Sequence, residues 1–214
     1  MDFLDAPDEA EFRERFRTWL ADQGDAIKRS HSDDEYWTSL GDWHHRLYDA
    51  GFFALTWPKQ YGGHELPATY EVIVDEELAA AGAPPKPSLG YLIQGFSRHG
   101  SDAIKERFLP GLINGRDRWC QGFSEPDAGS DLASLRTTAV RDGDEYVING
   151  HKIWTSYSDV AEWCIVLART DSDVPKHKGI SAFIVPMRQP GIEQRPLKMI
   201  NGVTKEFGEV VFEG

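Results

Sequence analysis

The chain has 214 residues, 40% of them hydrophobic, and carries 35 acidic against 23 basic side chains for a net charge of −12. That length lets a chain bury roughly 70% of its unfolded surface, while the acidic balance, spread over both halves, leaves no basic stripe for nucleic acid or anionic lipid. Cys120 and Cys164 stand far apart in sequence and outside any C-x-x-C pattern, which fits reduced thiols in a cytoplasmic protein, and the acidic N-terminus has no apolar targeting segment or membrane-spanning run.

In chain order, Asp8 reads as a cap for an amphipathic helix with Phe12, Phe16, Trp19 and Leu20 on its inner side and Arg13, Glu14 and Arg17 in water. A second helix is predicted from Asp33 or Asp34 through Trp37, Leu40, His44, Leu47 and Tyr48 to Gly51. His44 and His45 are adjacent and therefore diverge on a helix, with no third ligand at metal spacing, so no metal site is expected. The Trp-Pro and Gly-Gly punctuation of Phe52 to Gly63 predicts a loop. Pro67 then opens a third helix with Tyr70, Ile73, Val74, Glu77 and Leu78 along one side, and the acidic cluster Glu71, Asp75, Glu76 and Glu77 reads as a solvated face. After a proline-rich linker, Leu89 to His99 predicts a fourth helix, and Ser101 or Asp102 caps a fifth bearing Ile104, Phe108 and Leu112.

After residue 118 the hydrophobic period falls from 3.6 to 2. Thr137 to Val140, Tyr146 to Trp154, Trp163 to Arg169, Ile180 to Val185, Ile192 to Leu197 and Glu209 to Phe212 read as short strands with no helices between them. The expected fold class is α+β: an N-terminal all-helical domain over 1–118 and a small β-barrel domain over 119–214.

Two stretches of the second domain carry chemistry. Trp119-Cys-Gln-Gly-Phe-Ser-Glu-Pro-Asp-Ala-Gly-Ser-Asp131 enters as a short strand, is stopped by Pro126, and becomes a shaped loop in which Ser130 or Asp131 can cap the turn Leu132 to Leu135. It matches neither a dinucleotide fingerprint, nor a P-loop, nor a nucleophile elbow. Beyond a hairpin at Arg141 to Ile148, Asn149-Gly-His-Lys-Ile-Trp-Thr-Ser-Tyr157 ends in an aromatic followed by hydroxyls. For Trp154 the two readings are strand core and contact with a flat ligand.

Together, in order and in register, these stretches resemble the middle domain of the acyl-CoA dehydrogenase flavoproteins, whose patterns are T/S-E-P-x-A-G-S-D and D-x-Y-x-I/L-N-G-x-K-x-W followed by W-I/T-T/S. The phrase Trp57-Pro-Lys-Gln-Tyr-Gly-Gly63 is similar to a loop of the family's helical domain. The resemblance implies FAD as cofactor, with backbone groups of Gln121 and Phe123 at the pyrimidine edge, the Ser124 hydroxyl near N5, Trp154 against the ring system, and Thr155 and Ser156 at its edge. It places Ser130 beside the CoA or the cofactor phosphates, and makes Tyr91, Leu92, Gln94 and Gly95 of the fourth helix candidates for the acyl pocket. Ser124 and Ser156 stand where Thr is commoner, and Asp127, where Gly is frequent, adds a charge close to any phosphate.

The implied reaction is α,β-dehydrogenation of an acyl-CoA thioester, with hydride passing to flavin N5 and then to an electron-transfer flavoprotein or similar acceptor. In the family the catalytic base comes from a C-terminal four-helix bundle. The sequence ends at Glu213-Gly214, so the expectation is the first two domains of a longer, oligomeric dehydrogenase with no catalytic residue of its own; Glu77 and Glu125 are the tempting substitutes. The alternatives are an oxidase-like relative and a catalytically empty subunit of a heteromeric enzyme.

Overall fold

A computed structural model describes residues 4–24, 33–87, 90–200, 202 and 206–214, with the side chains of 33–38 outside the description. The chain divides into two units, one running to Arg116 and the other starting at Asp117.

The first unit is helical: α1 Pro7–Gln23, α2 Asp33–Asp49, α3 Ala68–Ala81, α4 Gly90–His99 and α5 Asp102–Ile113. Helix α1 begins two residues earlier than a cap at Asp8 predicts. Pro7, which has no N–H to leave unsatisfied, takes the first helical position, and Glu9 reaches back to accept from the Ala6 N–H at 2.9 Å. Asp8 is thereby released to accept from the Tyr70 hydroxyl of α3 at 2.9 Å. Phe12, Phe16 and Leu20 are buried, with Phe12 edge-on to Tyr70 and Phe16 against Phe52.

Two expectations for this unit are corrected. Arg13 is not on a wet face: it bonds Asp5 at 2.5 Å and both Glu76 and Glu77 at 2.8 Å. The acidic cluster of α3 is solvated only in part, with Asp75 and Glu76 exposed. Glu77 is buried between Arg13 and Arg17, while Lys86 pairs with Glu71 and Asp75. In α2 the inner positions are Trp43 and Leu47, and Trp43 donates to the Pro84 carbonyl at 3.0 Å. The expected positions Trp37 and Leu89 lie outside the described side chains. The Ser101 hydroxyl caps α5 through the Ile104 N–H.

The second unit is one mixed, curled sheet: β1 Trp119–Gly122, β2 Thr138–Asp142, β3 Glu145–Ser156, β4 Trp163–Arg169, β5 Ile180–Pro186, β6 Ile192–Pro196 and β7 Phe207–Glu213. The order is β1-β4-β2-β3-β7-β6, with β5 on the other edge of β4; β1 runs parallel to β4 and the hairpins are antiparallel. Alternating burial in β4 and β7 turns Cys164, Val166, Val210 and Phe212 inward with Cys120, Val185 and Met187. Cys120 and Cys164, distant in sequence, are register partners on β1 and β4, and both are free thiols. Gly150 is required by close approach, since a Cβ there would lie 2.2 Å from Thr137 Oγ1.

Candidate functional site

The two sequence stretches meet in the second unit. At the end of β1 the chain leaves the sheet as Phe123-Ser124-Glu125 and runs beside the far half of β3. The Ile153 N–H donates to the Ser124 carbonyl at 2.9 Å, and Lys152 Nζ donates to the Phe123 carbonyl at 3.1 Å and to Glu125 Oε1 at 2.8 Å. Each of these three loop residues is thus tied to position 152 or 153.

Lys152 is wholly buried, the less expected because a Lys desolvated in this way needs a partner. Its partner Glu125 also accepts the N–H groups of Arg136 at 2.6 Å and Thr137 at 2.8 Å. Burial alone would raise the Glu125 pKa, but Lys152 and the two backbone donors hold it below the usual carboxylate value. Burial draws Lys152 below its ordinary value, against the pull of Glu125. Lys152 was not among the residues singled out from sequence, although it falls in phase with Ile148, which packs on the core. That phase is the signal that could have found it.

Beyond Lys152 the ladder between β3 and β7 slips before Thr155, and Trp154 sits in this irregularity at φ +59°. A bulky residue in the left-handed region is held there against a cost of about 1–2 kcal/mol. The slip turns the indole out of the sheet to 58% exposure, edge-on to Phe207 at 6.5 Å, so strand core is not its role. Tyr157, at φ +63°, brackets the other side of Thr155-Ser156. Thr155 is fully buried, and its hydroxyl finds no hydrogen-bond partner among the described residues. An exposed indole plate, a buried unpaired hydroxyl and a pinned serine fit a flat aromatic ligand with a polar rim.

Gln121 and Phe123 are partly buried at the β1 end, whereas Ser130 is exposed. Asp131 does not cap the following turn, Leu132–Ser134, through its side chain; it accepts from Ser134 Oγ and from Lys176 Nζ. Asp127 faces Arg136 at 3.4 Å, which offsets the charge it brings to the loop. In the helical unit Tyr91 and Gln94 share the exposed side of α4, while Leu92, also a pocket candidate, is buried in the core of that unit. His44 and His45 turn to the Pro85 and Asn114 carbonyls at 3.3 and 3.1 Å, and among the described residues no group of three metal-ligating side chains occurs.

The acyl-CoA dehydrogenase N-terminal domain model matches residues 6–116 and the acyl-CoA dehydrogenase middle domain model matches residues 120–214. Acyl-CoA dehydrogenase IpdE1 of Mycobacterium tuberculosis is 43% identical over 96% of this chain and 56% of its own length. Among solved structures, the ChsE4–ChsE5 complex of M. tuberculosis superposes with a TM-score of 0.83 at 34% identity, covering 100% of this chain and 55% of the other. The Tcur3481–Tcur3483 steroid ACAD gives 0.87 at 32%, covering 100% and 56%. The chain therefore spans about half the length of the curated relatives it matches. With both domain models matched in order along the chain, and the loop and strand that carry their motifs bonded to each other in the structure, this chain belongs to the acyl-CoA dehydrogenase family.

Proposed function

We propose that this chain forms the flavin- and acyl-CoA-binding half of an FAD-dependent acyl-CoA dehydrogenase. The observation that carries the reading is the union of Ser124 with the Ile153-Trp154 step, which sets a hydroxyl-bearing loop beside an outward-facing indole. When bound, FAD supplies the hydride acceptor for the α,β-dehydrogenation of the thioester. Trp154 provides an apolar face for the ring, Ser124 and Ser156 offer hydroxyls, the Gln121 and Phe123 backbone serves the pyrimidine edge, and Ser130 lies towards phosphate. Tyr91 and Gln94 are the proposed acyl contacts on α4.

None of the described carboxylates is assigned the proton abstraction. Glu77 and Glu125, the two that are buried, are both held by cations, and both have pKa values lowered despite burial, the opposite of what a proton acceptor in an apolar pocket requires. The base is then supplied by residues other than those described, and an electron-transfer flavoprotein or similar carrier takes the electrons. A second reading, a subunit of a heteromeric enzyme, is favoured by likeness to the ChsE4–ChsE5 complex and to the Tcur3481–Tcur3483 steroid ACAD, and the latter makes a bulky acyl group the first substrate class to try.

Acyl-CoA-dependent reduction of a dye by the protein, purified with whatever chain accompanies it, tests the proposal. Turnover with a bulky acyl-CoA is expected. Yellow protein that reduces no dye with any thioester would contradict the dehydrogenase assignment.

A further inference from the structure

Lys152 and Glu125 are the most deeply buried oppositely charged groups of the second unit among the described residues, and the proposed chemistry uses neither. A buried ion pair is a poor source of net stability, since desolvation of both charges offsets their attraction. What distinguishes this one is where its bonds go. Lys152 holds the Phe123 carbonyl and the Glu125 carboxylate, the residues on either side of Ser124, while the next residue of β3, Ile153, holds the Ser124 carbonyl. Glu125 carries the restraint on to the start of β2 through the Arg136 and Thr137 N–H groups. None of these bonds uses the Ser124 hydroxyl. The stem of Lys152 passes Gly122, where an added Cβ would come within 3.4 Å of its Cγ, so the strand before the loop is shaped to admit it.

We propose that Lys152 and Glu125 are positioning residues, a buried clamp that fixes the Ser124 loop beside the Ile153-Trp154 step and so sets the geometry with which the site holds its flavin. The inference rests on the flavin-binding reading above and deepens it. Two neutral groups of similar shape would fill the same space. They would not hold the residues on either side of Ser124 as firmly in one register, because charge-assisted bonds are shorter and more directional than neutral ones.

The test uses the holoprotein with its natural assembly, comparing wild type with the double variant Lys152→Met/Glu125→Gln, in which no lone buried charge remains. The expected result is a cooperative fold with the wild-type far-UV spectrum, FAD bound about tenfold more weakly, and an altered visible circular dichroism of the bound flavin. A folded double variant with wild-type FAD affinity and flavin spectrum would overturn the proposal and leave the pair as core filling. If the double variant does not fold, Glu125→Gln alone, which keeps the shape and one of the two acceptor oxygens, is read the same way: a changed flavin spectrum supports the clamp and an unchanged one overturns it. Wild-type protein free of flavin would instead sink the parent reading before any variant is compared.

Discussion

The Ile153 N–H lies 2.9 Å from the Ser124 carbonyl, and through that bond the loop leaving β1 is anchored one residue before Trp154. Sheet pairing ends at Gly122 on one strand and slips after Lys152 on the other, so both segments depart from regular structure at the same place. Irregular backbone held on a rigid sheet is where ligand-facing side chains are commonly found.

Because Trp154 is largely exposed and held at positive φ, its side chain adds little to the fold. Trp154→Gly is expected to leave unfolding free energy within about 1 kcal/mol of wild type, since relief of the left-handed strain offsets the lost edge contact with Phe207. Denaturant unfolding measures this. A loss of several kcal/mol would place the indole in the core after all.

Glu125 and Glu77 have folded-state pKa values below their ordinary 4.5, so the folded protein binds fewer protons than the unfolded chain in that range. Their stabilisation is complete above the ordinary value and is lost as pH falls through the lowered ones. Replacing Lys152 by Met removes the cation, and burial then raises the Glu125 pKa. The variant is expected to be less stable than wild type by about 3 kcal/mol at neutral pH, with the gap narrowing on acidification because the carboxyl can take a proton. Denaturant midpoints followed from neutral pH to below 4.5 test both signs.

Glu77→Ala should weaken the helical unit by about 2 kcal/mol, less than a fully buried pair, because Arg13 retains Asp5 and Glu76 and Arg17 is already half exposed. Turnover per bound flavin should not change. A selective loss of turnover in a stable protein would make Glu77 a participant in the chemistry.

At Gly150 a side chain has no room: Ala there would press on Thr137 Oγ1 and Cβ at 2.2 and 2.6 Å. Gly150→Ala should cost about 2 kcal/mol through displacement of β3 from β2, measured as a lower melting temperature of the second unit.

Much of the architecture was legible because local pattern and packing agree. The period-2 runs became strands where the turns bounded them, and Ser101 caps α5 through the Ile104 N–H. The first helix shows the limit: Asp8 has the right chemistry for a cap, but Pro7 before it claims the first turn, and the carboxylate serves Tyr70 62 positions away. Glu77 falls on the apolar side of α3 by its spacing and in water by its charge, and Arg13 reads as a surface group; only the approach of α1 to α3 makes them partners. At the site, the two motifs were recognisable as a pair. The bulge that turns Trp154 outward was not, since strict alternation through Lys152, Ile153 and Trp154 would bury the indole or expose it according to a register that sequence alone leaves open. Cys120 and Cys164 became neighbours through a parallel pairing that no local signal announces.

The most direct measurement is FAD binding by the assembled protein in wild type, Ser124→Ala, Trp154→Ala and the combined variant, followed by flavin fluorescence and visible absorbance. The account predicts bound flavin in the wild type, about tenfold weaker binding in each single variant and a loss in the combined variant smaller than the sum of the two in free energy, because the groups act on one ligand. Flavin retained at wild-type affinity and spectrum in the combined variant would contradict it.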